Sequence, residues 1–154
     1  RALARDAASC IVIFDSDAAG IEATKDVKQS GLVNLLDIFQ VPQRTSCTET
    51  EFEDMFPPEL YISAIATACG CSFTQQDYET TRLRSGGNKT RMKKWSDVIE
   101  TLVQASGKSY PDFQEAIKEA FANAILKDLT KASSSAETWL KAIAGRAAQN
   151  LKGQ

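Results

Sequence analysis

Residues 10–14, Cys-Ile-Val-Ile-Phe, form a continuous apolar run rich in β-branched side chains that ends abruptly at Asp15. A run without polar alternation predicts a strand buried on both faces, as in parallel sheets whose crossover helices cover both sides. Asp15-Ser-Asp-Ala-Ala-Gly20 then leads into residues 21–30, where Ile21, Thr24 and Val27 share a helical face and Gly31 stands where the helix must end. A second strand is expected within residues 35–41, stopped by Pro42, which has no N–H for a ladder. Strand, helix and strand make a βαβ unit, so the predicted fold class is α/β with a parallel-sheet core.

Further along, Pro57 and Pro58 occupy positions that tolerate the first turn of a helix, with Glu59 near its positive end. Leu60, Ala64, Ile65 and Ala68 supply its apolar stripe, and Gly70 stops it. Residues 72–88 are polar, contain Gly86 and Gly87 and have no clear period, which predicts an irregular connection with at most one short strand. From Lys89 the pattern is helical throughout. Met92, Trp95, Ile99, Leu102 and Val103 make one stripe; Phe113, Ile117, Phe121, Ile125 and Leu129 make the next. Ser134 with Glu137 forms a capping-box pattern for a third helix, with Leu140, Ile143, Ala147 and Leu151 inward. The expected organisation is an α/β core over residues 1–88 followed by an all-helical segment over 89–154.

The chain has 154 residues, 43% hydrophobic and 25% charged, values that fit a globular domain with a real core and exclude a disordered chain. No apolar run approaches the roughly 20 residues of a membrane span, and the first residues lack a signal-peptide pattern, so a cytoplasmic protein that does not enter membranes is expected. Histidine is absent. Its absence removes Ser-His and Cys-His nucleophile pairs and leaves carboxylates, lysines and metal-bound water for any chemistry. Cys10, Cys47, Cys69 and Cys71 include no CxxC pair and read as reduced thiols rather than a zinc site.

A net charge of −2 hides an uneven distribution. Residues 47–59 hold Glu49, Glu51, Glu53, Asp54 and Glu59 without a base, while residues 82–94 hold Arg82, Arg84, Lys89, Arg91, Lys93 and Lys94 without an acid. Such a pattern suits a site that holds cations and meets phosphates; two solvated loops would produce it equally well. In open α/β sheets ligands gather beyond the carboxyl ends of the strands, where Asp15 and Asp17 stand. Two carboxylates one residue apart on an extended turn project to the same side and repel each other, which a divalent cation relieves. Mg²⁺ (or Mn²⁺) favours such hard oxygen ligands. Capping the following helix is the alternative role for Asp17.

The stretch Ile11-Val-Ile-Phe-Asp-Ser-Asp-Ala-Ala-Gly20 resembles the DxD motif of the Toprim fold, an apolar strand ending in Asp-x-Asp with a glycine three residues on. Glu51-Phe-Glu-Asp-Met-Phe-Pro-Pro-Glu-Leu-Tyr-Ile62 looks like the Glu-Asp-apolar-apolar-Pro stretch of the OLD-family nucleases. The resemblance covers residues 11 to about 65, reaches the Lys-rich segment weakly and is silent beyond. It implies a Toprim-like domain performing two-metal phosphodiester cleavage of DNA, in anti-phage defence. By the same resemblance Asp15 and Asp17 are metal ligands, and Glu53, with its neighbour Asp54, is a further ligand or water-orienting group. A downstream lysine would neutralise the scissile phosphate, with Lys89 first and Lys93 and Lys94 beside it.

The Toprim fold begins with a strand and a Glu-bearing loop ahead of the DxD strand. Only ten residues precede Ile11, with Asp6 as their sole acid. The expectation is therefore that a larger protein supplies that glutamate, along with the upstream ATPase domain that OLD-family relatives carry, since no GxxxxGK[ST] loop occurs here. Further partners expected are DNA and a second copy of the chain. Two rivals stand beside this reading. One is a degenerate Toprim module used for docking or oligomerisation. The other is a haloacid-dehalogenase-like phosphatase with Asp15 as nucleophile and Asp17 as general acid, although Ala19 departs from the Thr or Val that family places there.

Overall fold

The structure, a computed structural model, describes residues 10–44, 47, 49–84, 91–127 and 134–152. The strand β1 (Val12–Phe14) runs parallel to β2 (Ile38–Gln40), with Val12, Ile13 and Phe14 opposite Ile38, Phe39 and Gln40. Between them α1 (Ala18–Ser30) makes the crossover. It starts at Asp17 in extended backbone and ends at Gly31, whose φ of 65° lies in the left-handed region that favours glycine. The expected βαβ unit is present, but Ile13 is 46% exposed. A two-stranded sheet cannot cover both faces of β1, so the expectation of a strand buried on both sides fails there.

The sheet is small and the protein is mostly helical, a mixed α/β chain. A 3-10 turn at Phe52–Met55 and another at Pro58–Leu60 lead into α2 (Ile62–Ala68), so the helix expected to open at Pro57 and Pro58 starts at Ile62, and Pro58 and Leu60 belong to the 3-10 turn before it. The polar stretch expected to be irregular contains α3 (Gln75–Arg82), opened by a capping box in which Thr74 and Asp77 exchange hydrogen bonds. It buries only Tyr78 and Arg82, so no apolar period betrays it. A short antiparallel hairpin follows, β3 (Leu83–Arg84) against β4 (Arg91–Met92). Met92 therefore belongs to a strand, and the helix expected from Lys89 starts at Trp95 as α4 (Trp95–Ala105). Phe113 sits in a 3-10 turn with Pro111, ahead of α5 (Gln114–Lys127), and α6 (Ser134–Lys152) closes the described chain.

The core lies among the helices. Tyr61, Ile65, Trp95, Val98, Ile99, Val103 and Ile117 are fully buried, and Phe121 joins them. Phe121 meets Tyr61, Trp95 and Phe56 edge-on at 5.0, 5.8 and 5.7 Å between centroids. Each such pair contributes about 0.5–1.5 kcal/mol beyond its buried area. These residues come from both sides of position 88, so the two expected segments share one core. The last helix is pinned near the sheet, where Arg146 Nε and Asn150 Nδ2 donate to the buried carboxylate of Asp37 at 2.7 and 2.8 Å. Among the described residues no helix is long and apolar enough to cross a membrane.

Candidate metal centre

The turn after β1 is zipped to the acidic segment by backbone. Ser16 and Thr50 form an antiparallel pair, with N–H to carbonyl distances of 2.8 and 3.1 Å. Phe52 then donates its N–H to Asp15 Oδ1 at 2.8 Å. Side chains alternate along extended backbone. Ser16 turns inward, its hydroxyl donating to the Val41 carbonyl, which leaves Asp15 and Asp17 on the other side. Thr50 is fully buried and accepts the Arg44 N–H at 3.1 Å, and its neighbours Glu49 and Glu51 meet the DxD side. Two sequence-distant acidic stretches are thus brought to one place.

Gly20 explains the glycine of the motif. A Cβ there would overlap the carbonyl oxygen of Asp15, so the first turn of α1 lies against the strand's last peptide only because no side chain intervenes.

Each acid has a distinct environment. Burial pushes the Asp15 carboxyl above its usual range; the Phe52 N–H opposes this, and the charges of Glu53 and Asp17 add to it. No described group donates to Asp15 Oδ2. Asp17 caps α1, its Oδ1 accepting the Gly20 N–H at 2.8 Å, and that bond together with Lys94 holds its pKa low. The cap uses one oxygen, and Oδ2 accepts from Lys94 Nζ at 3.3 Å. Glu49 Oε1 lies 3.3 Å from the Ala18 N–H, at the same helix end.

Lys94 stands at the start of α4, and its ammonium also faces Glu51 at 3.5 Å and Glu49 at 4.0 Å. Burial works to lower the Lys94 pKa, but Glu51 and Asp17 outweigh it and keep the side chain charged. Glu51 in turn accepts the Ser96 N–H and hydroxyl, both at 2.7 Å, and so caps α4 from a distant part of the chain. Glu53 is buried and forms an ion pair with Lys118 of α5, whose ammonium sits 4.8 Å from the centre of the Trp95 ring.

Asp54 requires a correction. Expected as a metal ligand, it is fully buried, with Oδ1 taken by Arg82 Nη2 at 2.5 Å and Oδ2 by the N–H groups of Glu51 and Trp95 at 2.9 and 3.4 Å. Both oxygens are engaged in structure, and the residue ties the acidic turn to α3 and α4. Of the lysines, Lys94 reaches the acidic cluster. Lys93 extends the hairpin through its backbone N–H to the Arg82 carbonyl at 2.9 Å and makes no ion pair among the described residues. Lys89 and the glycine turn before it lie outside the described residues.

Sequence reading missed Lys118, Glu49 and Glu51 as members of the site. Alternation of acids at 49, 51 and 53 was the available signal for the glutamates. Lys118, next to core residue Ile117, marks the edge of an apolar stripe and gives only a weak signal.

Among the described residues no three Asp, Glu or Cys side chains converge so as to hold a metal ion as they stand. Mg²⁺ and Mn²⁺ take hard oxygens and are commonly held by one or two carboxylates with water completing the shell, and carboxylate oxygens are the donor type that Asp15 and Asp17 offer. Compared with known proteins, the chain matches no family model, no curated protein and no solved structure.

Proposed function

We propose that this chain provides the acidic half of a Toprim-type, divalent-metal-dependent nuclease site acting on DNA phosphodiesters. One observation carries the reading. Asp15, Asp17, Glu49, Glu51 and Glu53 gather around the tip of β1, and two lysines, Lys94 and Lys118, pair with members of that group. Burial first, and acidic neighbours after it, disfavour the charged form of Asp15, whose Oδ2 has no described donor. A divalent ion held there would favour the charged carboxylate and would supply Lewis acidity.

The remaining roles belong to the chain. Asp15 and Asp17 would hold the ion, and the Phe52 and Gly20 N–H groups fix one oxygen of each. Glu53, positioned by its 3-10 turn and ion-paired with Lys118, would orient a water at the site. Lys94 offers positive charge to the phosphate. Asp54 holds the turn in place and takes no direct part.

The experiment is calorimetric titration of Mn²⁺ into the wild-type chain, Asp15→Asn and Asp17→Asn, with plasmid nicking measured alongside. Binding to the wild type that is lost in both variants is the expected result. Equal binding in all three would end the nuclease reading. A second reading has support in the same geometry: Lys94 and Lys118 already neutralise Asp17 and Glu53, as in a degenerate module retained for docking. In that case no Mn²⁺ binds the wild type at all.

A further inference from the structure

The segment that ends in Pro57 and Pro58, together with α3 and the β3–β4 hairpin, lines a cleft of about 490 Å³. That size falls within the roughly 300–1,000 Å³ of pockets that hold small molecules. None of the acids gathered at the tip of β1 lines it. Its walls are mostly carbon. Pro57 and Pro58 have no N–H to donate, and Phe56 beside them is packed edge-on against Phe52 and Phe121, so this wall is stiff and apolar. On the hairpin, Leu83 and Met92 stand opposite each other in register and so project to one face of it. Leu83 is 49% exposed, an apolar side chain left uncovered at the cleft. Met92 and Met55 are unbranched thioethers that conform to apolar groups of different shape.

The polar groups of the cleft are unbalanced towards donors. Arg82 gives Nη2 to Asp54 and Nη1 to Tyr78 Oη, yet its Nε has no acceptor among the described residues, although the side chain is only 9% exposed. A buried donor without a partner costs free energy that native folds rarely leave unrecovered. Tyr78 Oη accepts from Arg82 at 3.2 Å and from Tyr61 at 3.4 Å, which leaves its own hydrogen unspent. Arg44 donates Nη1 to the Asp54 carbonyl at 2.6 Å and makes no ion pair among the described residues, so its charge is unmatched. Glu79, also at the cleft, is exposed and accepts the Gln75 amide at 2.7 Å. Its negative charge favours a ligand with one carboxylate over a dianionic phosphate.

We infer that this cleft is a binding site for a small apolar monocarboxylate, whose carboxylate meets the guanidinium groups of Arg44 and Arg82 and whose body lies between Phe56, Pro57 and Pro58 on one side and Leu83 and Met92 on the other. The planar fork of an arginine matches the two oxygens of a carboxylate. Recognition is strict at the head, where donors await an acceptor, and permissive along the body, where the methionines adapt. The site stands independently of the nuclease reading.

The test is an NMR titration of the isotope-labelled chain with hydrocinnamate, with its uncharged amide hydrocinnamide, and with acetate. Hydrocinnamate is expected to give saturable shifts of the Arg82 Nε–H signal and of the backbone amides of Phe56, Leu83 and Met92. Hydrocinnamide, the same body without the charge, is expected to bind about tenfold more weakly, the scale of one charge-assisted hydrogen bond. Acetate, the head without the body, is expected to bind no better than the amide. In Arg44→Gln the preference for carboxylate over amide should shrink to near parity, whereas Leu83→Ser should weaken both alike. Equal affinity of the unmutated chain for hydrocinnamate and hydrocinnamide, saturable shifts confined to residues outside the cleft, or no saturable shift at millimolar hydrocinnamate would overturn the assignment. The spectra of the unmutated chain decide alone should either variant fail to fold.

Discussion

Arg82 buries its guanidinium against Asp54, Nη2 to Oδ1 at 2.5 Å, and the same aspartate accepts from the backbone of Glu51 and Trp95. One carboxylate therefore joins three pieces of chain that carry the site. Both side chains are nearly inaccessible, at 9% and 0% exposure, so solvent cannot compensate for either partner alone. Asp54→Ala is expected to destabilise the fold by roughly 3–5 kcal/mol, the usual consequence of leaving one member of a buried ion pair unmatched. Urea denaturation checks it. The loss should be the same with and without Mn²⁺, which distinguishes a structural aspartate from a ligand.

Gly20 permits the close approach of α1 to the Asp15 carbonyl. The obstacle to a side chain is backbone, which cannot swing aside, so Gly20→Ala must move the helix. A stability loss of about 1–3 kcal/mol is expected, as for overpacking. Mn²⁺ affinity should fall with it, because the shift separates Asp17 from Asp15; unchanged affinity in a folded Gly20→Ala protein would contradict this.

Asp15 gives the site a pH dependence of unusual sign. Burial raises its pKa in the folded state, so the group contributes stability below its unfolded pKa, and this contribution is lost as pH rises through the raised folded value. Without metal, Asp15→Asn should therefore gain stability relative to wild type as pH rises above the ordinary aspartate value of 3.8. Mn²⁺ should erase that advantage by stabilising the charged wild type. Urea midpoints across this range, with and without Mn²⁺, provide the measurement.

Asp37 behaves in the opposite way. Hydrogen bonds from Arg146 first, and Asn150 as well, hold its carboxyl below the usual range. A depressed folded pKa means stability that is fully present above the unfolded value and disappears as pH falls through the folded one. Asp37→Asn should be destabilised at neutral pH and approach the wild type in strong acid. Proteolysis of α6 should show the same trend, since Arg146 and Asn150 anchor that helix.

Much of the site's scaffold was legible in the residues. An apolar run, a DxD turn and a glycine define β1, the cap and α1, and Pro42 marks the end of the second strand because these are local effects of backbone chemistry. The limits of α3 were not legible, since its buried face consists of Tyr78 and Arg82 and gives no apolar period. The roles of the acids were harder still. Glu53 and Asp54 are neighbours with the same chemistry, and only the tertiary fold decides that one meets Lys118 and the other Arg82. Arg82 itself belongs to the basic stretch expected to meet phosphates, yet it is buried against an acid. Which counter-charge a residue finds depends on contacts spanning 28 positions for Arg82 and 65 for Lys118, beyond the reach of any local pattern.

The ammonium of Lys118 over the indole of Trp95 makes the protein its own optical indicator. Trp95 is one of two tryptophans, and its ring is packed out of water. A positive charge above an indole shifts its excited-state energies, so any event that draws Lys118 away from Glu53 should register as a change in emission, without a dye or a label. Replacing Trp139 with Phe would leave a single emitter reporting on the acidic cluster in real time.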